Sequence, residues 1–195
     1  MTGEKPDKSE IRKAFGDKIR AMSPAERAWQ SRTLCERLGD HPKIGRAKRL
    51  GVYLALPDEP DLAPLMRVLL EREVRLFLPV PEGASGWGFR AVRALGPLRP
   101  GILGLPFPPL GVAAGVEELD AVLVPGRAFT DAGHRLGRGK GIYDRLLSGC
   151  GERGIGVAFA CQQAEWLPVE AHDVRLGAVV FGGVGNSTTE HTDFH

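Results

Sequence analysis

The chain has 195 residues, of which 43% are hydrophobic and 26% charged, and its formal net charge is +2. That length fits one domain with a substantial core, and so small a net charge is too little to imply nucleic-acid binding. Cys35, Cys150 and Cys161 have no metal-ligand spacing, and no apolar leader or long apolar span is present. These features argue against a disulfide scaffold, a zinc module and a membrane protein, and predict a cytoplasmic setting.

Residues 1–7 are expected to be disordered. From Lys8 to about Met22, Ile11, Phe15, Ile19 and Met22 recur at helical spacing and predict an amphipathic helix with a basic outer face. Ser23-Pro24-Ala25-Glu26 then reads as a new helix start. Ser23 is the cap, Pro24 takes the first turn and Glu26 completes a capping box; this helix runs to about Leu38, where Gly39 stops it. Leu50 to Leu56 reads as a buried strand. The loop Pro57-Asp58-Glu59-Pro60 leads to a helix over about Asp61 to Arg72, with Leu62, Leu65, Met66, Leu69 and Leu70 as its apolar stripe. Val74 to Leu78 is the next strand, and alternation predicts another over Trp87 to Arg93. Residues 94–116, with Pro97, Pro100, Pro106, Pro108 and Pro109, read as a long ordered loop of the kind that carries function.

Ala121 to Val124 is a short buried strand, and a glycine-rich segment and a helix to about Ser148 follow it. Ile155 to Ala160 and Ala178 to Phe181 are the last strands, and residues 183–195 form a polar, flexible tail. Strands alternating with helices predict a single three-layer αβα domain over residues 8–182, with a mostly parallel central sheet. Ligands gather at the carboxyl ends of such strands, so the loops after Leu56, Val124 and Ala160 are expected to share one site.

The glycine-rich segment is the most specific part of the chain. The strand stops at Pro125-Gly126. Gly133, Gly137, Gly139 and Gly141 then alternate with Arg135, Arg138 and Lys140, and Tyr143 and Asp144 follow. Glycines let the backbone approach a ligand closely, free N–H groups form an anion nest, and a helix start adds partial positive charge. The interleaved cations suit a polyphosphate, and a carboxylate beside bound phosphates, here Asp144, suits Mg²⁺. Neither the dinucleotide fingerprint nor the P-loop spacing is present: Gly139-Lys140 is followed by Gly141 where the P-loop needs Ser or Thr.

These residues carry a family resemblance. Pro125-Gly126, Phe129, the run Gly133-His134-Arg135-Leu136-Gly137-Arg138-Gly139-Lys140-Gly141, and Ile142-Tyr143-Asp144 closely resemble the signature of the 5-formyltetrahydrofolate cyclo-ligases, also called methenyltetrahydrofolate synthetases. The likeness extends more weakly over residues 8–182. It includes the Lys8-to-Arg12 spacing, the junction Arg20-Ala21-Met22-Ser23, the Asp58-Glu59 loop and Ala171-His172-Asp173. The resemblance implies an ATP- and Mg²⁺-dependent ligase of one-carbon metabolism that converts 5-formyltetrahydrofolate into 5,10-methenyltetrahydrofolate with release of ADP and phosphate. In that chemistry the γ-phosphoryl passes to the formyl oxygen, N10 attacks the activated carbon, and phosphate leaves.

The roles implied by the resemblance follow position by position. Lys8 and Arg12 would bind ATP phosphates from the first helix, their i, i+4 spacing setting both on one face. Arg135, Leu136, Gly137, Arg138, Gly139, Lys140, Gly141 and Tyr143 would wrap the triphosphate, with Lys140 and Arg138 as catalytic cations. Leu54 and Glu59 would line the pterin and formyl end, and Arg138, Gly139, Lys140, Gly141 and Ile142 would border the folate. Asp144 and Asp173 would hold Mg²⁺. His134 and His172 have no readable partner and no role assigned. Implied partners are small molecules only, with no nucleic acid and no membrane, for a monomer or weak dimer.

Two positions depart from the family pattern. Ile142 stands where the family usually has the first of two tyrosines, and Phe107-Pro108 where Glu-Pro or Gln-Pro is common. These departures keep a second reading open, an ATP-dependent enzyme that phosphorylates a different amide or small acceptor. A third reading is a non-catalytic nucleotide- or RNA-binding regulator, but the chain lacks the clustered aromatics that stack single-stranded bases.

Overall fold

Two apolar clusters, one on each face of a single sheet, organise the protein. In the computed structural model, which describes residues 6–83, 86–92 and 110–183, the sheet is built from β1 (Arg49–Gly51), β2 (Arg75–Glu82), β3 (Gly86–Val92), β4 (Leu110–Ala114), β5 (Ala121–Val124), β8 (Gly154–Ala158) and β9 (Ala178–Phe181). Their order is β4-β3-β2-β1-β5-β8-β9. The run from β2 to β9 is parallel, and β3 and β4 add an antiparallel edge. The expected α/β class and mostly parallel sheet are both present.

The period of two along the strands divides the core. Leu76 and Leu78 of β2, Leu123 of β5 and Ile155 and Val157 of β8 face the helices α2 (Pro24–Gly39), α3 (Pro42–Gly45) and α4 (Ala63–Glu71), meeting Leu34, Leu38, Leu65 and Leu69. Phe77, Val122, Val124 and Ala158 face the other way, onto Phe129, Leu146, Leu147 and Leu176. The β5 strand is buried along its whole length, as a strand covered on both faces must be. Helix α1 (Lys8–Ala21) buries Ile11 and Phe15 against Ala128, Leu136 and Leu167, and Ile19 against Phe159. Its amino end is thereby set over the glycine-rich segment.

The caps explain where the first helices start. Asp7 accepts hydrogen bonds from the Ser9 and Glu10 N–H groups, and Glu10 accepts one back from the Asp7 N–H, a capping box that the sequence reading did not use. Ser23 caps α2 as expected by accepting from the Glu26 N–H at 3.1 Å.

Several boundaries differ from expectation. β1 ends at Gly51, because the chain turns off the sheet where Glu59 accepts the Leu56 N–H at 3.0 Å and returns its own N–H to the Leu56 carbonyl at 2.9 Å. β2 instead runs past Leu78 to Glu82. Beyond Phe77 it has a ladder partner on one side only, which is where Pro79 and Pro81 are tolerated. Residues 110–114 form strand β4 and Val116–Glu118 a 3₁₀ turn, where a loop was expected. The remainder of that loop, with Phe107-Pro108, lies outside the described residues, as does most of each terminus.

The glycine-rich segment is more structured than its composition suggests. Ala128–Phe129 (β6) and Arg135–Leu136 (β7) pair as a small antiparallel hairpin, and α5 spans only Ile142–Leu146. One short turn supplies little helix dipole, so any anion binding here falls to backbone N–H groups and side-chain cations. At the hairpin tip Gly133 has φ +86° and donates its N–H to the Thr130 carbonyl, and a Cβ there would lie 2.3 Å from the Leu176 carbonyl oxygen. Gly133→Ala is therefore expected to lose roughly 2–4 kcal/mol of stability from the left-handed backbone and the clash together. Urea unfolding checks this, and a midpoint equal to wild type contradicts it.

Candidate active site

The strand order reverses direction between β1 and β5: from β1 the chain moves to β2 on one side, and β5 opens the other side. The carboxyl ends of strands flanking such a switch point leave a crevice between their loops. Here that crevice is a cavity of about 750 Å³, within the range of small-molecule sites. Every residue expected at the site lines it: Lys8 and Arg12 from α1, Leu54 and Glu59 from the turn after β1, the run Arg135 to Asp144, and Asp173 from the loop before β9.

The cavity has two kinds of wall. Toward β2 and β3 it is apolar and aromatic, with Tyr53, Leu54, Leu78, Pro79, Trp87 and Ile142. Of these Tyr53, Leu78, Pro79 and Trp87 were missed by the sequence reading. Trp87 was recognisable only as the first residue of an alternating strand, and its place at the site depends on the β2–β3 hairpin, which pairs it with Pro81. Toward α1, the glycine segment and the loop before β9 the wall is charged, with Lys8, Arg12, Arg138, Lys140, Glu170 and Asp173.

The cations differ in how they are held. Arg135 is nearly buried. It donates to Asp144 Oδ2 at 2.9 Å and lies over the Tyr143 ring, 5.6 Å from its centroid. Arg12 Nε donates to the Gly137 carbonyl at 2.9 Å, which ties α1 to the glycine segment. Arg138 donates to Glu59 Oε1 at 3.0 Å and also to Asp58. Lys140 is exposed and has no ion-pair partner among the described residues. Gly139 and Gly141 have φ of +93° and +60°, so the chain around Lys140 occupies backbone conformations that glycine alone adopts easily.

The carboxylates divide by environment. Glu59 has a side chain only 6% exposed; burial pushes its pKa up, partly offset by the Leu56 N–H and Arg138. Burial also opposes ionisation of Asp58, but hydrogen bonds from Arg138 and Arg127 outweigh it and hold that carboxyl below its usual range. Asp173 follows the same pattern: burial raises it, while Lys8 at 2.6 Å and the Glu170 N–H bring it below the ordinary value of 3.8. The Tyr143 hydroxyl is driven well up by burial and stays neutral.

Asp173 makes a pH prediction. Because folding lowers its pKa, the pair with Lys8 stabilises the fold above the unfolded carboxyl's value of 3.8 and loses that contribution as pH falls through the lower folded value. The stability gap between wild type and Asp173→Asn should therefore be constant at mildly acidic and neutral pH and shrink below that value. A gap that stays constant into strong acid contradicts the pairing.

Asp144 and Asp173 are brought together, since Asp144 Oδ1 accepts the N–H of Val174, the residue after Asp173, at 3.4 Å. Both present hard oxygen donors to the cavity, each shared with one cation, Arg135 or Lys8. No cluster of three or more metal-ligating side chains occurs among the described residues. This donor set fits Mg²⁺, which takes one or two carboxylates and completes its shell with phosphate and water oxygens. His172 lies beside Glu170 and Asp173, its Nε2 3.5 Å from the first and 3.8 Å from the second, with most of its ring exposed. His134 sits in the hairpin turn and does not line the cavity.

The chain is similar to known proteins over most of its length. The profile of the 5-formyltetrahydrofolate cyclo-ligase family matches residues 4–182. The 5-formyltetrahydrofolate cyclo-ligase of Escherichia coli K12 is 32% identical over 168 residues, covering 83% of this chain and 92% of that protein. The cyclo-ligase of Mycolicibacterium smegmatis is 32% identical over 182 residues, covering 89% and 92%. The solved structure of 5,10-methenyltetrahydrofolate synthetase from Aquifex aeolicus superposes with a TM-score of 0.80 at 34% identity, covering 96% of this chain and 99% of that one.

Proposed function

The chain belongs to the 5-formyltetrahydrofolate cyclo-ligase family, and from that premise we propose that it converts 5-formyltetrahydrofolate into 5,10-methenyltetrahydrofolate at the expense of ATP. The observation that carries this reading is the two-sided cavity. Its charged wall suits a triphosphate and its aromatic wall a flat heterocycle, and the two meet at Arg138 and Glu59. A reaction that moves a phosphoryl group onto a formyl oxygen needs that adjacency.

In the first step the formyl oxygen attacks the γ-phosphorus and ADP leaves. N10 then attacks the activated formyl carbon, closing the ring, and the C–O bond breaks to release phosphate, with the N10 proton passing to solvent. Little covalent work falls to the protein in such a transfer; positioning and charge neutralisation dominate. Lys8, Arg12 and Lys140 neutralise phosphate charge, and the amides of residues 137–141 approach the phosphate oxygens closely because glycine leaves room. Arg138 lies where the γ-phosphoryl and the formyl oxygen meet. Glu59, buried and held by Arg138 and the Leu56 N–H, presents an acceptor to the N–H groups of the pterin end. Tyr53, Trp87 and Ile142 cover the ring and exclude water. Mg²⁺, when bound by Asp144 and Asp173, supplies further neutralisation of phosphate charge.

Ile142 motivates the second reading, in which the acceptor is a different amide. Trp87 argues against it by providing an aromatic surface on the same apolar wall. Three free cysteines fit the cytoplasm, and no helix among the described residues is long and apolar enough to cross a membrane. The test is to mix purified protein with ATP, Mg²⁺ and 5-formyltetrahydrofolate and follow methenyl absorbance. Product formation is expected. ADP release with some other amide, without methenyl product, would transfer the reading to that acceptor.

A further inference from the structure

Asp58 is tied to both stems of the glycine hairpin but does not itself line the cavity. Its Oδ2 accepts from Arg127 Nη1 at 2.5 Å, and its Oδ1 accepts from Arg138 Nη2. Arg127 precedes β6 and donates its own N–H to the Leu136 carbonyl at 2.7 Å, so it stands at the base of the hairpin. Arg138 follows β7 by two residues and does face the cavity, where Glu59 takes its Nε. One carboxylate therefore bridges a cation outside the cavity and a cation on its wall.

The charge arrangement makes this more than an incidental surface pair. Arg127 and Arg138 share one carboxylate, and the Arg127 side chain is only 17% exposed. Without Asp58, two neighbouring guanidinium groups would be balanced locally by Glu59 alone, and like charges in a half-buried setting separate. Arg138 has four rotatable bonds above a glycine-flanked backbone, and among the described residues Asp58 and Glu59 are the acceptors that fix its head group. Arg127 has no described contact with the cavity, and its side chain has no other described ion-pair partner.

We propose that Asp58, anchored by Arg127, is a positioning residue that holds the Arg138 guanidinium against Glu59 in the orientation the reaction uses. This rests on the cyclo-ligase reading for what Arg138 does, but the clamp itself can be tested apart from it. The alternative is a restraint, in which Asp58 competes with phosphate for Arg138, and the two make opposite predictions.

With the full-length protein, Mg²⁺·ATP and 5-formyltetrahydrofolate, kcat and both KM values are measured for Asp58→Asn, Arg127→Met and the double variant. The same change at Asp58 is then made in an Arg138→Met background. Each single change is expected to lower kcat/KM by about ten-fold, with the double variant no worse than either, as for residues acting as one unit. In the Arg138→Met background Asp58→Asn should have no further effect, a result that general loosening of the fold would not give. Additive losses, an equal loss without Arg138, or an unchanged or raised kcat/KM for Asp58→Asn each overturn the clamp. A crystal structure of Asp58→Asn, or of Arg127→Met if the first folds poorly, tests the clamp without turnover. Arg138 displaced from Glu59 supports the clamp, and Arg138 unmoved overturns it. An inactive wild-type protein would count against the cyclo-ligase reading and leave this structural test standing.

Discussion

Lys140→Ala is expected to lower kcat by about 10²–10³-fold, the loss typical of removing one preorganised group that meets developing charge. The same change should move stability by no more than about 0.5 kcal/mol, as for surface changes away from special contacts. This split is what makes the variant informative. Arg135 and Arg138 hold parts of the fold together through Asp144, Asp58 and Glu59, so their removal mixes structural and chemical effects. Lys140 is exposed and has no ion pair among the described residues, yet it lines the cavity between two left-handed glycines. Its charge is available to a ligand. Steady-state assay beside thermal melting checks both halves. An unchanged kcat removes Lys140 from the mechanism, and a large stability loss means it has a structural role.

The second large effect concerns the support beneath the glycine segment. Phe129 is fully buried, and its ring packs into the space that side chains at Gly126 and Gly156 would fill: a Cβ at either position would lie 2.7 or 2.8 Å from it. Glycines on both sides cannot reach in to refill a void. Phe129→Ala should therefore fall in the upper part of the ~3–5 kcal/mol range for Phe truncation in a core. The β6–β7 hairpin rests on this ring, so activity should fall more than the folded fraction does. Urea unfolding measures the first quantity, and a loss near 1 kcal/mol would mean that the site collapses more readily than its packing indicates.

What the sequence discloses and what it hides follow from distance along the chain. Helix α1 was readable because Ile11, Phe15 and Ile19 repeat locally, and all three are buried. The same locality placed Ser23 at the start of α2 and β5 in the core. The expectation of an anion-binding loop in the glycine segment came from residue types alone. Its actual form was not local: β6 and β7 pair through a turn whose glycine is fixed by the distant Leu176, and α5 stops after five residues. β4 looked like loop because its pairing to β3 is decided by a partner strand, not by its own small residues. The Asp58 clamp joins residues 69 and 80 positions apart, and no pattern in either neighbourhood predicts it. Ion pairs of this kind belong to the tertiary structure, and so does the aromatic wall contributed by Tyr53 and Trp87.

The proposed chemistry depends on the glycine segment, together with Lys8 and Arg12, holding the triphosphate of ATP. A crystal structure with a non-hydrolysable ATP analogue and Mg²⁺ tests this most directly. The phosphates are predicted to lie against the backbone of residues 137–141, within reach of Lys8, Arg12 and Lys140, with the metal beside Asp144 and Asp173. An analogue bound at another surface, with this segment unliganded and its side-chain pairs unchanged, would contradict it.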